Sequence, residues 1–530
     1  MANTELQPLP LGTSAFSKLR LRNQIYVDKT DLIYKLASRT EKFFLARPRR
    51  FGKSLLISTF ESLFKYGLRD FKGLAIEKLW KDEKNYKVVR LDFSEVKIFN
   101  SPEDFEYQLN GLLISKFMPF GFNYSETLPV PIVTQVSSWL QTLPPSSLVI
   151  LIDEYDAPLT ACLDDTKVFE FVRGSLARFY ATLKANDEAI RFFFMTGITK
   201  FNKTSIFSEL NNLSDLTLDS DYGSLLGYTH EEVERYFGGY LTEASEVLGI
   251  ERTKLMEELT AHYDGFCFER TTTKHVFVPW SLLKFFASPK AGLIDYWFES
   301  GGRPSALIEF MKSHSLRDPA EYGKEQSIEL KVLSASSDAE SISDIGLLTQ
   351  AGYLTLKRIV GTTAYVGYPN AEIRTSMAQL YLGQILDGRT VEQVGAEKIA
   401  FVLASGNAET VYHKLNYFFK DINYNNYPVT NEATVRAFVQ VFLAGAGLKA
   451  KAEVGGSHGR SDLEVTSGNR LWVFEFKVVE KDQNAEVKLQ EAINQIVERD
   501  YGNPSEHQEL RRVAMVFSLE ERKFVKWSEI

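Results

Sequence analysis

One tripeptide near the N-terminus restricts the fold more than any other part of the chain. Gly52, Lys53 and Ser54 follow an apolar run at residues 43–46 and precede a segment with helical hydrophobic spacing at residues 55–64. A strand, a tight loop and a helix in this order are typical of a phosphate-binding loop, whose backbone N–H groups hold phosphate oxygens. The pattern therefore predicts that Lys53 contacts the β- and γ-phosphates of a nucleotide and that Ser54 ligates Mg²⁺.

The loop departs from the full consensus at one position. The pattern G-x-x-x-x-G-K-[ST] has glycine where this chain has Arg47. A lone G-K-S in a chain of 530 residues is weak evidence, so the prediction depends on a second half of the site. The residues that we expect to surround the nucleotide are those of the loop and the first helical turn, Arg50, Phe51, Gly52, Lys53, Ser54 and Leu55.

An acid pair at the end of a second apolar run supplies the second half of the predicted nucleotide site. Residues 147–152 have the composition of a parallel strand buried on both faces, and Asp153 and Glu154 follow directly. We expect Asp153 to hold Mg²⁺ and Glu154 to orient or deprotonate the attacking water. The alternative is an acidic turn after an ordinary core strand, which the combination with the phosphate loop disfavours.

A third apolar run, at residues 190–197, predicts another buried strand. Thr196 near its end is the candidate γ-phosphate sensor, with Thr199 as the second choice, and a threonine in a simple turn is an equal alternative. Strands that alternate with helices and end in polar residues predict an α/β fold with a parallel sheet, in which ligands bind beyond the carboxyl ends of the strands. Three basic residues later in the chain could also contact phosphate, but exposed side chains in solvent are the favoured interpretation: Lys200, Lys203 and Arg303.

A different set of chemical groups lies near the C-terminus. Asp462 begins one predicted strand, and Glu475 and Lys477 lie two residues apart on another. Alternation along a strand points the latter two side chains to one face and Phe474 and Phe476 to the other. Asp462 and Glu475 are oxygen ligands that suit Mg²⁺ or Mn²⁺, and Lys477 could position or deprotonate a metal-bound water. This spacing is the pattern of PD-(D/E)XK nucleases, and its alternative is an exposed cross-strand pair plus a turn aspartate.

The N-terminal motifs also carry a family resemblance. The segments at residues 10–12, 26–30 and 47–54 resemble the AAA-ATPase-like family of bacterial proteins, whose phosphate loop also has the sequence Arg-Pro-Arg-Arg-Phe-Gly-Lys-Ser. The resemblance implies that Arg47 is a family trait, that ATP is the nucleotide, and that the C-terminal domain is a PD-(D/E)XK nuclease. It leaves two readings open for segment 26–30, which are contact with the nucleotide base and a simple edge element.

The resemblance extends to residues around the nuclease strands. Gln495 and Tyr501 resemble residues that recur behind the active site of that nuclease family, and Glu432 matches its helix acid by rough placement. By resemblance the substrate is nucleic acid, with DNA favoured over RNA, and a role in defence against phage or mobile DNA is an expectation. AAA-type sites are often completed by an arginine from a neighbour, so we also expect a homo-oligomer.

The chain is too long for a single core, and its patterns predict four parts. Residues 1–228 are the P-loop ATPase domain, 229–323 a helical lid-like region, 324–394 a linker with a winged-helix-like module, and 395–530 the nuclease domain. The module is predicted from a helix followed by a hairpin and a second helix. Such a module could bind DNA, although packing against the ATPase is favoured.

The composition excludes several other classes of protein. A formal net charge of −8 argues against a uniformly basic nucleic-acid coat, and two cysteines form no disulfide framework. The seven histidines show no zinc spacing, the N-terminus has no signal-peptide apolar segment, and no apolar run is long enough to span a membrane. We therefore predict a cytoplasmic protein without a membrane partner.

Two functional hypotheses follow from these patterns. The leading one is an ATP-driven or ATP-gated nuclease. The alternative is a nucleotide-dependent switch or assembly protein whose nuclease-like domain only binds nucleic acid. The intact set of Asp462, Glu475 and Lys477 favours cleavage, because a domain that only binds does not need it.

Overall fold

The computed structural model describes residues 6–163, 165–198, 212–299, 323–334, 343–396, 398–456, 459–481, 483–505 and 508–530. The chain divides into two units, of which the first comprises Met1–Phe310 and Glu325–Glu372 and the second comprises Met311–Lys324 and Ile373–Ile530. Among the described residues, no helix is both long and apolar enough to span a membrane. The candidates Thr199, Lys200, Lys203 and Arg303 lie outside the described residues.

Five parallel strands form the main sheet of the first unit. They are β1 (Lys42–Ala46), β2 (Lys87–Asp92), β3 (Leu148–Asp153), β4 (Ile190–Gly197) and β5 (Leu213–Asp215), in the sheet order β2-β3-β4-β1-β5. β1 and β3 are buried along their whole length, which explains their continuous apolar sequences. Because β4 lies between β1 and β3, the ends of all three strands meet at one edge of the sheet.

Within the described residues, seven helices precede or connect the first four strands of this sheet. They are α1 (Phe16–Leu21), α2 (Thr30–Ala37), α3 (Lys53–Tyr66), α4 (Pro102–Phe117), α5 (Ile132–Leu140), α6 (Ala157–Thr160) and α7 (Thr166–Ala185). The side chains of Ser101 and Asp165 accept hydrogen bonds from the first turns of α4 and α7, so the local sequence sets where these helices begin. The apolar faces of α4, α5 and α7 pack against the buried strands in one core.

A helical region follows the parallel sheet. It contains α8 (His230–Tyr236), α9 (Gly238–Leu248), α10 (Arg252–Tyr263), α11 (Pro279–Ala287) and α12 (Tyr296–Glu299). Thr229 and Glu232 form a capping box at the start of α8. These helices share an apolar core with Ile25 and Val27, so the segment before the phosphate loop packs against them.

A small antiparallel sheet completes the first unit. Its strands are β6 (Gln326–Glu329), β7 (Thr355–Val360) and β8 (Thr363–Gly367), in the order β6-β8-β7. Two short helices, α13 (Leu330–Ser334) and α14 (Asp344–Gln350), precede the β7–β8 hairpin. α15 (Ala371–Ile385) follows the hairpin in the chain and belongs to the second unit from Ile373 onward. The helix, hairpin and second helix predicted for the middle of the chain are therefore present.

The second unit contains a mixed five-stranded sheet. Its helices are α16 (Ile399–Ser405), α17 (Ala408–Lys420), α18 (Glu432–Gly445) and α19 (Ala485–Arg499), and its strands are β9 (Lys449–Gly456), β10 (Gly459–Ser467), β11 (Arg470–Val479), β12 (Glu509–Ser518) and β13 (Lys523–Glu529). The strand order is β13-β12-β11-β10-β9, with β11 and β12 parallel and the other neighbours antiparallel. α19 packs on one face of the sheet, and Phe419 of α17 packs against Phe517 and Phe524. The predicted α/β class is confirmed.

Candidate ATPase and nuclease sites

The phosphate loop connects the end of β1 to the start of α3. Gly52 has a φ of +93° and Arg50 a φ of +71°. A Cβ on Gly52 would approach only Leu226, at 4.0 Å, so the left-handed backbone, rather than lack of space, favours glycine there. Ser54 and Leu55 are half-buried in the first turn of α3, whose free N–H groups suit a phosphate.

The Lys53 ammonium lies inside its own loop. Its Nζ atom donates to the carbonyl oxygens of Arg47 and Pro48, both at 2.9 Å, and the residue is 7 % exposed. Burial lowers the pKa of Lys53, and the neighbouring Glu154 and Asp153 oppose this shift. Both carboxylates are therefore within electrostatic reach of the ammonium, as a nucleotide site requires.

Arg47 has a structural role at the position where the consensus has glycine. Its guanidinium is buried and donates to the carbonyl oxygens of Ala46 at 2.9 Å, Thr217 at 2.8 Å and Tyr222 at 3.3 Å. The same group lies over the ring of Phe268, 4.4 Å from its centroid. Burial lowers the pKa of Arg47 to about 9, which leaves it charged at neutral pH. Arg47 therefore holds the loop against the segment that follows β5.

Aromatic residues hold the middle of the loop. Phe51 is buried and packs edge-on against Phe266 and Phe268, with ring centroids 4.9 and 5.0 Å away. The Arg50 guanidinium lies 4.5 Å from the centroid of the Trp280 ring. Phe266, Phe268 and Trp280 come from the helical region after the parallel sheet, so that region stabilises the loop conformation.

A small apolar cavity lies beside the start of α3. It has a volume of about 80 Å³. Its walls combine the phosphate loop with the segment before β1 and include Tyr26, Val27, Phe51, Leu55 and Leu226. Lys29 of the same segment is held by Glu232, whose two carboxylate oxygens each accept from its Nζ atom at 2.8 Å. The structure therefore places segment 26–30 beside the phosphate loop.

A side-chain hydrogen bond joins the end of β3 to the end of β4. Asp153, at the end of β3, is 1 % exposed, and its Oδ1 atom accepts from the Thr196 hydroxyl at 2.8 Å. Its Oδ2 atom lies 3.6 Å from the Arg90 guanidinium on β2. The structure thus brings Thr196 to the acid pair. Arg90 was not predicted as a site residue, although a charged residue inside an apolar strand was a usable signal.

Glu154 has a left-handed backbone conformation. Its φ is +49°, which costs roughly 1–2 kcal/mol for a residue other than glycine. Burial raises the pKa of Glu154, Lys53 opposes this shift, and Asp153 reinforces it. A half-buried carboxylate with a raised pKa beside the phosphate loop is suited to accept a proton from water.

The donor groups of this site fit a magnesium-bound nucleotide. The first turn of α3 and the Lys53 ammonium offer N–H donors for phosphate oxygens. Ser54 and the buried Asp153 offer the hard oxygen ligands that Mg²⁺ prefers. Gly197 allows the end of β4 to lie close to the segment that follows β3, because a Cβ there would lie 2.5 Å from the Tyr155 ring.

A stacked aromatic column on one face of β11 determines which side chains reach the other face. Trp472, Phe474 and Phe476 stack with successive ring centroids 6.0 Å apart. Glu475 and Lys477 therefore share the opposite face, as the alternation predicted. The Nζ atom of Lys477 donates to Oε1 of Glu475 at 2.9 Å.

The backbone of β11 holds Asp462 beside Glu475 and Lys477. The Oδ2 atom of Asp462 accepts from the N–H group of Phe476 at 2.8 Å. Burial raises the pKa of Asp462, and the Phe476 hydrogen bond and the Lys477 charge oppose this shift. The structure therefore brings Asp462, Glu475 and Lys477 together in one site.

Glu475 is the most deeply buried member of the set. It is 1 % exposed, and burial together with the neighbouring Asp462 raises its pKa to about 7. Its Oε1 atom accepts from Lys477, whereas its Oε2 atom is buried without a hydrogen-bond partner among the described residues. A buried carboxylate oxygen beside a second carboxylate is costly unless a cation binds there. This arrangement fits a divalent metal ion.

The two carboxylates suit a cation that keeps most of its water. In the described part of the chain, no group of three or more His, Cys, Asp or Glu side chains converges into a metal site. Asp462 and Glu475 would therefore supply two ligands, and Mg²⁺ usually retains several waters in such a site. The side chain of Lys477, which is 13 % exposed, would lie beside these waters.

Glu432, which was matched to the helix acid of the nuclease family only by rough placement, also lies near the nuclease site. Glu432 is the first residue of α18, and its Oε2 atom lies 3.7 Å from the Nζ atom of Lys477. One turn later, the Arg436 guanidinium lies 2.9 Å from Glu453 and 3.6 Å from Asp462. Arg436 was not predicted as a site residue, although its spacing from Glu432 places both on one helix face.

Gln495 and Tyr501 meet next to the nuclease strands. The Nε2 atom of Gln495 donates to the Tyr501 hydroxyl at 3.2 Å, and Nη1 of Arg499 donates to the same oxygen at 3.0 Å. The bond to Tyr501 raises the pKa of Arg499, and the Glu475 carboxylate acts in the same direction. Arg499 was not predicted as a site residue, because nothing in the sequence around a charged residue at a helix end indicates contacts with Tyr501 or Glu475.

Comparison with known proteins assigns the family. A family model described as predicted AAA-ATPase matches residues 10–207, which contain the phosphate loop, the acid pair and Thr196. A protein of Azotobacter chroococcum mcd 1, described as "Uncharacterized protein in vnfD 5'region", is 30% identical over 483 residues, which is 89% of each chain. The chain belongs to the AAA-ATPase-like family.

The AAA-ATPase-like chain also carries a nuclease-type domain. A model of the PD-(D/E)XK nuclease superfamily matches residues 430–527. That range contains Asp462, Glu475 and Lys477 as well as Glu432 and Arg499. Both parts of the resemblance seen in the motifs are thereby confirmed, and the two domains support an ATPase together with a nuclease-like function.

Proposed function

We propose that this AAA-ATPase-like protein is an ATP-dependent nuclease that cleaves nucleic acid with a divalent metal ion. The observation that carries the proposal is the buried Oε2 atom of Glu475, which has no hydrogen-bond partner among the described residues and lies beside Asp462 and Lys477. A domain that only bound nucleic acid would gain nothing from placing the half-buried Asp462 beside the buried Glu475, because both carboxylates repel phosphate.

The residues of the first unit have distinct tasks in this proposal. Lys53 and the first turn of α3 bind the triphosphate, while Ser54 and Asp153 hold Mg²⁺. Glu154 orients or deprotonates the attacking water. Thr196, which is hydrogen-bonded to Asp153, links the γ-phosphate position to the metal ligand.

The residues of the nuclease site also have separate roles in this proposal. When bound, Mg²⁺ or Mn²⁺ lowers the pKa of its water and stabilises charge on the scissile phosphate. Asp462 is oriented for this ion by the N–H group of Phe476. Lys477 is oriented by Glu475 and, more distantly, by Glu432, and it positions the water or deprotonates it.

The substrate and setting follow from the family resemblance. We place DNA ahead of RNA as the substrate, and we include a defence role against phage or mobile DNA in the proposal. A homo-oligomer is part of it as well, because AAA-type sites are often completed by an arginine from a neighbouring subunit.

A cleavage assay tests the nuclease proposal. The full-length protein is incubated with linear duplex, circular duplex and single-stranded DNA and with RNA, in Mg²⁺, in Mn²⁺ or in EDTA. We expect metal-dependent cleavage of DNA that falls by roughly 10²–10⁴-fold in Lys477→Ala, as for the loss of a general acid–base group. Lys488→Ala is the matched control, because Lys488 lies on the surface of α19 in an ion pair with Glu491.

Two results would contradict the proposal. Wild-type rates in Lys477→Ala would refute the assigned site. Binding of nucleic acid without cleavage of any substrate would favour the switch or assembly protein instead. Titration calorimetry with Mn²⁺ gives an independent readout, since Glu475→Gln should weaken metal binding while circular dichroism shows an unchanged fold.

A further inference from the structure

An arginine that forms no ion pair within the described part of the chain lies near the nuclease site. Arg499 is the last residue of α19 and is exposed. Its side-chain hydrogen bond goes to the hydroxyl of Tyr501. By contrast, Lys477 is already held by Glu475, and Arg436 by Glu453. The charge of Arg499 is therefore available to an anion.

The contact with Tyr501 holds Arg499 in place. The buried Tyr501 hydroxyl accepts from Nη1 of Arg499 at 3.0 Å and from Nε2 of Gln495 at 3.2 Å. The backbone carbonyl of Tyr501 accepts from Nε of Arg512 at 2.7 Å. Because the tyrosine is fixed at both ends, it is a rigid support for the guanidinium.

The Arg499 side chain extends over the strand that carries Asp462. A Cβ on Gly459, at the start of β10, would lie 2.8 Å from Cδ and 3.1 Å from Nη1 of Arg499. Gly459 therefore leaves the space that the arginine occupies, three residues before Asp462. The guanidinium is also close enough to Glu475 for the two charges to interact.

We propose that Arg499 binds the phosphodiester of the nucleic acid beside the metal ligands, an inference that rests on the proposed nuclease function. A guanidinium can donate two parallel hydrogen bonds to phosphate oxygens. A phosphodiester that approaches Asp462 and Glu475 needs positive charge besides the metal ion. A cation at a helix C-terminus is favourable in general, which would explain an arginine here but not its hydrogen bond to the buried Tyr501 hydroxyl.

Equilibrium binding in Ca²⁺ tests the inference separately from cleavage. Fluorescence anisotropy of labelled duplex and single-stranded DNA is measured across salt concentrations for the wild type, Arg499→Ala, Arg499→Gln and the control Lys488→Ala. We expect about ten- to hundredfold weaker binding when the charge of Arg499 is removed, as for a charged hydrogen bond. The slope of log K against log salt should fall by about 0.9 for duplex or about 0.7 for single strands, the value for one phosphate contact.

Further readouts separate contact with substrate from a structural role. Arg499→Gln removes the charge but keeps a group that can hydrogen-bond to Tyr501, so it should show the same smaller salt slope as Arg499→Ala. Added guanidinium ion should partly restore the binding of Arg499→Ala, whereas a misfolded site would not respond. Tyr501→Phe, which removes the support, should weaken binding less than either change of Arg499.

The outcomes distinguish this inference from the proposed function. Wild-type affinity and salt slope in both Arg499 variants would overturn the inference, even if the wild type cleaves DNA. The lack of any nucleic-acid binding by the wild type would overturn it as well. If the wild type binds but cleaves no substrate, the proposed nuclease function fails, and the salt slopes still decide the role of Arg499.

Discussion

The Thr196 hydroxyl donates a 2.8 Å hydrogen bond to Oδ1 of Asp153 across two neighbouring parallel strands. Asp153 is buried at the end of β3, and β4 lies between that strand and β1, which leads into the phosphate loop. A single hydrogen bond therefore connects the proposed Mg²⁺ ligand to the strand beside the loop. This relationship makes Thr196 the better of the two sensor candidates to test, because Thr199 lies outside the described residues.

Thr196→Val should slow ATP hydrolysis by about tenfold or more with little change in ATP affinity. Valine has nearly the same shape but leaves Oδ1 of Asp153 without its donor, which typically costs about 1–3 kcal/mol. Steady-state ATPase rates and binding of a fluorescent ATP analogue measure the two effects. Thr196→Ser keeps the hydroxyl and serves as the control, so an equal loss in both variants would contradict a role for this hydrogen bond.

Glu154→Gln should bind ATP but hydrolyse it roughly 10²–10⁴-fold more slowly, because glutamine cannot accept the proton of the attacking water. Glutamine has the same size as glutamate, so we expect the backbone at φ +49° to be kept. The amount of unhydrolysed ATP that stays bound to the variant after rapid gel filtration measures this effect. Hydrolysis at the wild-type rate would remove Glu154 from the catalytic set.

Arg47→Gly restores the consensus glycine, yet we expect it to destabilise the protein. The change leaves the carbonyl oxygens of Ala46, Thr217 and Tyr222 without their shared donor and opens space beside Phe268. The expected loss in the free energy of unfolding is about 2–4 kcal/mol, measured by urea denaturation. Arg47→Lys keeps the charge but cannot donate to all three carbonyl oxygens, so its stability should lie between those of the wild type and Arg47→Gly. An Arg47→Gly variant as stable as the wild type would contradict the anchoring role.

Glu372 should make the first unit less stable as the pH rises. Its Oε1 atom accepts from the Ser281 hydroxyl and from the N–H groups of Tyr296 and Trp297 at 2.8–2.9 Å, while burial raises its pKa from 4.5 to about 8. Between these values the folded protein keeps a proton that the unfolded chain has released, so stability is highest at the acidic end of the window and is lost toward pH 8.

Glu372→Gln tests this dependence, because glutamine mimics the protonated acid. Urea denaturation at about pH 6 and about pH 9 should show that the wild type loses on the order of a few kcal/mol relative to the variant. Identical changes in the wild type and in Glu372→Gln would show that another group causes the pH dependence.

Local patterns in the sequence were enough to predict the elements on which both sites lie. β1 and β3 are buried on both faces, and such strands have continuous apolar sequences. The side chains of β11 alternate between an aromatic face and a charged face, and this period of two identified Glu475 and Lys477. The chemical roles of these residues, and of the phosphate-loop residues, remain predictions that the variants above can test.

Contacts between distant parts of the chain were not predictable in the same way. Arg47 donates to the carbonyl oxygens of Thr217 and Tyr222, which lie 170 and 175 residues away in the chain. No local pattern encodes those partners, so the sequence shows only a departure from consensus. Arg499 was missed for the same reason, since its proximity to Glu475 arises only when α19 packs on the sheet.

The rate of DNA cleavage with and without ATP, in the wild type and in Lys53→Ala, tests the central claim most directly. The Lys53 ammonium lies inside the phosphate loop, where it donates to the carbonyl oxygens of Arg47 and Pro48. A lysine at this position of such a loop contacts the β- and γ-phosphates, so we predict that Lys53→Ala loses ATP binding. We predict that ATP changes the cleavage rate of the wild type and leaves that of Lys53→Ala unchanged. Equal wild-type rates with and without ATP, or the same response to ATP in both proteins, would contradict an ATP-dependent nuclease.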